Sequence, residues 1–239
     1  MKILAIETAT EACSAALYCD GEIISRYELA PRKHTQIILP MMAEILEEAG
    51  ISKQSLDAIA FGRGPGAFTG LRIAVGVAQG LALALDKPMV PISSLAAMSQ
   101  QVLDRTAKAS IANDARYIPA IDARMGEVYW GIYKNIDGEV SLLGEEEISK
   151  PEVIAQLVHG QNQNLRFGSG WQSYYPDLMT SDSPELESAT NDVFPNAYYV
   201  AKLAASAFSR GESIDAANAE PVYLRNDVAK KKAEQGKPA

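Results

Sequence analysis

The sequence predicts an α/β fold of two lobes, built from a duplicated β-β-β-α-β-α unit. Three observations carry that expectation. Short apolar runs alternate with longer stripes at helical spacing. Two Asp-Gly hairpin signals, Asp20-Gly21 and Asp137-Gly138, punctuate the chain. The string LAIETATEACSAALYCDGE lies over PAIDARMGEVYWGIYKNIDGE, with Glu7 on Asp122 and Tyr18 on Tyr133 at one common offset. Gly138 falls two residues beyond that offset from Gly21, so the second hairpin is longer.

The elements follow in order. Lys2–Thr8 is a nearly continuous apolar run, which suits a strand buried on both faces. Ala12–Tyr18 and Glu22–Leu29 flank the first Asp-Gly turn as two more strands. A helix is expected over Thr35–Ala49, closed by Gly50. Leu56–Phe61 is a strand, and Gly62-Arg63-Gly64-Pro65-Gly66 turns into a helix over Phe68–Leu85. Pro88–Ile92 and Ser93–Leu103 complete the first unit as strand and helix. The second unit reads as strands Tyr117–Asp122, Glu127–Tyr133 and Glu139–Glu145, a helix Lys150–His159, and a strand Asn164–Phe167. A last helix, about Asn196–Ser209, has apolar residues at 200, 203, 204, 207 and 208.

These elements place an N-terminal lobe at 1–104 and a C-terminal lobe at 117–190. The polar, basic stretch Arg105–Arg116 is the expected linker. The last helix is expected to pack back on the N-terminal lobe. The tail 227–239 has little to bury and is expected to be disordered.

Composition narrows the function classes. Thirty acids against 22 bases leave a net charge of −8, which opposes a stand-alone nucleic-acid binder. The chain has 2 cysteines, Cys13 and Cys19, and 2 histidines, His34 and His159, too few and too dispersed for a Cys/His zinc site. On one strand the two thiols would stand roughly 20 Å apart, beyond disulfide reach. Reduced thiols imply a cytoplasmic chain. The N-terminus meets Glu7 too soon to be a signal peptide, and Leu71–Leu85, interrupted by Arg72 and Gln79, reads as too short for a bilayer span, so no membrane contact is expected.

Two lobes of this kind resemble the actin-like (ribonuclease H-like) superfamily. A closer resemblance lies in GRGPGAFTGLRIAVGVAQGLA, the opening ILAIETAT, the helix RKHTQIILPMMAEIL and the late EPVYLRN. Together these strings are similar to the bacterial TsaB (YeaZ) family, over nearly the whole chain. The resemblance implies a non-catalytic subunit of the machinery that installs threonylcarbamoyladenosine in tRNA. In that setting a separate enzyme makes threonylcarbamoyl-AMP. The paralogue TsaD transfers the threonylcarbamoyl group to the adenosine beside the anticodon, in tRNAs reading codons that begin with A. The small ATPase TsaE joins the complex. TsaD would be the heterodimer partner, with a homodimer when the chain is alone and tRNA met only through the complex.

The family's chemistry carries over only in part. TsaD binds a metal through a His-x-x-x-His pair, and aligning PISSLAAM on that region puts Ser94 and Met98 there. Neither suits a hard divalent ion in that role, so no metal site and no catalytic residue are expected. Any metal, ATP or ADP would belong to the partner subunits or their interface. In actin-like ATPases the first hairpin turn touches phosphate. Here Glu7, Thr8 and Thr10 keep an acid and hydroxyls, but Ala9 replaces a glycine. Asp122 is the matching acid of the second unit. These four residues are either a residual nucleotide or cleft site or simply strand-end polar groups exposed to water. Gly168-Ser169-Gly170 either underlies an adenine or is an interlobe turn. The Gly62–Gly66 string matches neither G-x-G-x-x-G nor a P-loop; it is either a phosphate cradle or a turn allowing close helix–sheet packing.

Apolar excess on two helices is the remaining signal. Ile38, Met42 and Ile45 form one stripe, and Ile37 and Met41 add to a second. The next helix is apolar nearly all round, with small rows at Gly66, Gly70, Ala74 and Ala78 and at Gly76 and Gly80. Either that helix is buried on every side, or the pair faces a partner's helices, as the family resemblance implies. The expected partner-binding residues are Ile38, Met41, Met42, Ile45, Leu71, Val75 and Ala78. The rival readings are a kinase or ATPase of the same superfamily, which lacks its phosphate glycines here, and a metallopeptidase, which lacks its ligand pair. A Rossmann dehydrogenase fails on the glycine fingerprint.

Overall fold

The computed structural model describes residues 1–107, 114–158, 164–179 and 184–225. The N-terminal lobe begins with β1 (Lys2–Glu7), β2 (Ala12–Cys19) and β3 (Glu22–Leu29). Asp20 and Gly21 both have positive φ, 48° and 105°, the geometry of a turn whose twist matches the strands it joins. Then come α1 (His34–Glu48), β4 (Ala58–Gly64), α2 (Phe68–Leu85), β5 (Met89–Ser93) and α3 (Ser94–Arg105). The sheet order is β3-β2-β1-β4-β5, with β1 and β4 parallel at its centre. From Ile3 to Glu7 β1 is fully buried, because α1 and α2 cover one face and other helices the opposite one.

The C-terminal lobe repeats the plan with breaks. Its strands are β6 (Arg116–Arg124), β7 (Glu127–Trp130), β8 (Tyr133–Ile136), β9 (Glu139–Leu142) and β10 (Glu147–Ser149). The single strand expected at Glu127–Tyr133 is two. Ala120 pairs with Trp130 and Tyr117 with Tyr133, so β7 and β8 hold one antiparallel register against β6 across a gap at Gly131 and Ile132. The strand expected at Glu139–Glu145 stops at Leu142 as β9 on β8, and a further strand not expected from the sequence, β10 on β7, follows it, with Gly144 at φ 81° between them. The two extra residues of this hairpin fall in β8, between Tyr133 and the turn. Its turn, Asp137-Gly138, again has positive φ at both centres, 52° and 87°. The unit ends with α4 (Pro151–Val158) and β11 (Asn164–Phe167), which pairs parallel with β6 as β4 does with β1.

Three further helices follow: α5 (Ser169–Tyr174), α6 (Pro184–Thr190) and α7 (Ala197–Ser209). α7 lies on β1, β2, β4 and β5 of the first sheet. α3, expected to complete the N-terminal lobe, lies mainly on β6 and β9 of the second. Each lobe thus lends a helix to the other, and α3 packs on α7 between the sheets. One apolar cluster runs from Ile3 and Val90 through Leu95, Val102 and Val200 to Tyr117 and Phe167. The lobes share this core. α1 and α2 close the outer face of the first sheet, and α4 and α5 that of the second. α2 spans 18 residues at mean hydropathy 1.6, long and apolar enough to cross a membrane by length and composition; in the fold one face of it covers β4. The tail expected to be disordered at 227–239 lies outside the described residues.

Candidate functional site: the interlobe cleft and the outer helix face

A cleft of about 540 Å³ opens between the lobes. Thr10, Glu11, Ala67 and Phe68 form one wall, and Asp122, Arg124, Tyr129 and Ser169 the other. Val222, Tyr223 and Arg225 cross its mouth.

The turn after β1 is sealed. Glu7 is fully buried; Ser94 Oγ donates to its Oε2 at 2.7 Å and the Ala9 N–H to its Oε1 at 2.7 Å. Burial raises this carboxyl above its ordinary value, and the bonds from Ser94 and the backbone only partly offset that. Thr8 is also fully buried, its hydroxyl donating to Gly70 O at 2.7 Å. Glu7 and Thr8 therefore neither face the cleft nor stand exposed to water as strand ends, so both readings of them are corrected, whereas Thr10 and Asp122 line the cleft.

The glycine-rich turn is taken up by packing. A Cβ on Gly62 would stand 2.0 Å from Glu7 Oε2, one on Gly66 2.5 Å from Ala9 O, and one on Gly70 2.0 Å from Thr8 O. The Ala67 N–H donates to Ala9 O at 2.7 Å. Strand end, turn and helix start are in backbone contact, which is the packing reading of this string. The residues present do not fit a phosphate: the Ala9 N–H points to Glu7, and the glycines approach β1 and its turn. Ser94 and Met98 do not fit a metal either. Ser94 is engaged with Glu7, and Met98 is a core side chain whose Cε lies over Gly168.

The turn after β6 is open. Asp122 accepts from the Arg124 N–H at 2.8 Å and pairs with its guanidinium at 3.2 Å, and the Tyr174 hydroxyl donates to it at 3.4 Å. Arg124 also reaches Glu11 of the other lobe at 3.1 Å. The late string EPVYLRN, distinctive in sequence but without an assigned role there, supplies Val222, Tyr223 and Arg225. Sequence reasoning also missed a second interlobe group. Glu146 accepts from Ser93 Oγ, from the Tyr133 hydroxyl at 2.5 Å and from Arg63 at 3.4 Å. Burial and the adjacent Glu146 carboxylate push the Tyr133 hydroxyl well above its ordinary pKa.

The partner-binding residues need correction. Ile38, Met41, Met42, Ile45, Leu71, Val75 and Ala78 are all at most 8% exposed and pack in the core beneath α1 and α2. Their stripes are the sheet-facing ones. Outward are Leu39 (57% exposed) and Ala43 on α1, and Gly76, Gly80 and Leu83 (68%) on α2, with Ile73 and Val77 half-buried beside them against the core. Nothing lies within 4 Å of where a Cβ would stand on Gly76 or Gly80. The opposite flank of α1 is occupied, because Glu44 and Glu48 pair with Arg26 of β3.

Comparison with known proteins decides the family. Residues 23–232 match the family model described as TsaD, tRNA N6-adenosine threonylcarbamoyltransferase. The tRNA threonylcarbamoyladenosine biosynthesis protein TsaB of Escherichia coli strain K12 is 43% identical, over 97% of this chain and 98% of that protein. The chain belongs to the TsaB family. The TsaB of Haemophilus influenzae is 40% identical over 97% of each chain. The solved structure of YeaZ from Pseudomonas aeruginosa superposes with a TM-score of 0.76 at 42% identity, covering 93% of this chain and 99% of that one. A tRNA N6-adenosine threonylcarbamoyltransferase of Prosthecochloris aestuarii is 36% identical over 41% of this chain, which is 32% of its own length. The TsaB fold thus shares an extended segment with the transferases. The actin-like, two-sheet architecture expected from the duplication is the architecture of the family.

Proposed function

We propose that this chain is a non-catalytic subunit that pairs with TsaD and supports transfer of a threonylcarbamoyl group to the adenosine beside the anticodon of tRNA. The single observation that carries the reading is the full-length identity to TsaB proteins. Chemistry supports a non-catalytic role: a buried Ser94–Glu7 bond stands where a ligand histidine is expected, and the glycines of the turn after β4 are spent on packing against β1 and its turn. Nucleotide and metal belong to the partner subunits or to the interface, TsaE enters through the assembled complex, and the setting is the cytoplasm.

The docking surface is the outward face of α1 and α2. Gly76 and Gly80 let a second helix come close, while Leu39, Ile73 and Val77 offer apolar area around them. The same face serves a homodimer when TsaD is absent. Reconstitution tests the reading. TsaD, TsaE and the threonylcarbamoyl-AMP synthase should modify tRNA efficiently only when this chain is added, and the chain alone should modify none. Full modification without it would end the proposal. A kinase or ATPase reading finds no supporting observation in the sealed first turn.

A further inference from the structure

The segment after α7 runs along the N-terminal lobe before it leaves it. Met89 and Ile214 bridge, and the Gln79 side chain donates to Ala216 O and Ala219 O at 2.9 Å each. The next residues cross the cleft mouth. The Val222 N–H donates to Arg63 O at 2.8 Å. The Tyr223 ring lies 5.5 Å from that of Phe68, and its hydroxyl accepts from Arg72 Nε at 3.2 Å. Arg225 then grips the C-terminal lobe, donating to Arg124 O at 3.1 Å and pairing with Glu127 at 2.5 Å. Through Val222, Tyr223 and Arg225 this segment therefore holds both lobes, outside their shared core.

A second tie lies elsewhere between the lobes. Glu146 of the C-terminal lobe has a side chain only 6% exposed, and it gathers Ser93 and Arg63 from the N-terminal lobe. Arg63 takes part in both ties: its carbonyl receives the crossing segment and its guanidinium the carboxylate. Its neighbour Gly64 has φ 98°, and a Cβ there would meet Leu71 at 3.0 Å and Val222 O at 3.3 Å. The glycine-rich turn thus lets the crossing chain lie close.

We propose that Pro221–Arg225 is a strap which, with the Arg63–Glu146 clasp, fixes the angle between the lobes, Arg63 being the common anchor. The cleft is then held at its width by the chain itself, with no ligand needed. The Glu11–Arg124 pair adds little, since both side chains are largely exposed. The strap lines the cleft itself, whose lining includes no residue of α3 or α7.

Spin-label distances on the whole chain test this. Labels go on Glu47→Cys in α1 and Glu152→Cys in α4, both exposed, with Cys19→Ser to remove the accessible native thiol. The otherwise unmodified protein should give one narrow distance distribution. Arg225→Ala should broaden it, and Arg225→Ala with Glu146→Gln should shift it to longer distance, with helix content unchanged by circular dichroism. A folded double variant that keeps the narrow distribution overturns the proposal. Should the double variant not fold, Arg225→Ala decides, since it removes only contacts at the cleft mouth: a broadened distribution upholds the strap and an unchanged one refutes it.

Discussion

The turns that follow β1 and β6 hold equivalent places in the duplicated unit and are built oppositely. After β1 the acid, Glu7, lies in the core, bonded to Ser94 and the Ala9 N–H, and α2 starts in backbone contact with the turn. After β6 the acid, Asp122, stays at the cleft wall, paired to an exposed Arg124, and Gly126 has open space around it. The two halves share a strand plan, and that plan does not fix what their turns do. In this chain the first turn is taken up by packing, while the second keeps a half-buried acid paired with an exposed arginine at the cleft wall.

Steric substitutions separate the two turns most strongly. Gly70→Ala puts a methyl 2.0 Å from Thr8 O, and that backbone cannot yield without moving β1. The expected loss is about 3 kcal/mol or more in chemical denaturation. Gly126→Ala meets nothing within 4 Å and bears only the strain of φ 76°, about 1 kcal/mol. Equal losses at the two sites would break the comparison.

The acids should differ in the same direction. Glu7→Ala removes the acceptor for a buried hydroxyl and a buried N–H and leaves a cavity, a cost of about 3 kcal/mol. Asp122→Ala loses contacts near solvent, worth about 1 kcal/mol or less. Thermal melts of the two variants, side by side, measure this.

A pH series sharpens the point. Burial raises the Glu7 carboxyl above its ordinary 4.5, so the folded chain holds that proton to higher pH than the unfolded chain does. Its contribution to stability is full below about pH 4.5 and is lost as pH rises through the raised value. Glu7→Gln should remove this fall, leaving a flatter stability profile above pH 4.5 than that of the parent. A parallel pair of profiles would contradict a buried, proton-retaining Glu7.

Much of the fold was legible because it rests on local signals. The Asp-Gly turns, the buried run of β1 and the apolar stripe of α7 each declare themselves in a few residues. The return of α7 to the first sheet was expected, but the lending of α3 to the second was not, since a helical stripe says that a face is buried and leaves open against which sheet. The break between β7 and β8 escaped for a related reason: alternation continues across Gly131 without marking a lost pair. The site was harder still. Glu7 and Asp122 look alike in the aligned repeat, and only Ser94, distant in sequence, distinguishes them. The stripe Ile38, Met42, Ile45 was seen correctly as apolar, but α1 has a second apolar side around Leu39 and Ala43, and one sequence does not say which side meets the sheet. Arg225 and Glu146 bind across the lobes through partners far away in the chain, beyond any local pattern.

The measurement that tests the account most directly uses the outward glycines of α2. Gly76→Arg with Gly80→Arg places two long side chains where nothing now lies within 4 Å, so the monomer should keep its fold and gain about 1 kcal/mol of helix propensity or more. Size-exclusion chromatography with purified TsaD should show the heterodimer with the parent chain and separate peaks with the variant. A variant that melts no lower than the parent and still co-elutes with TsaD would contradict docking on this face.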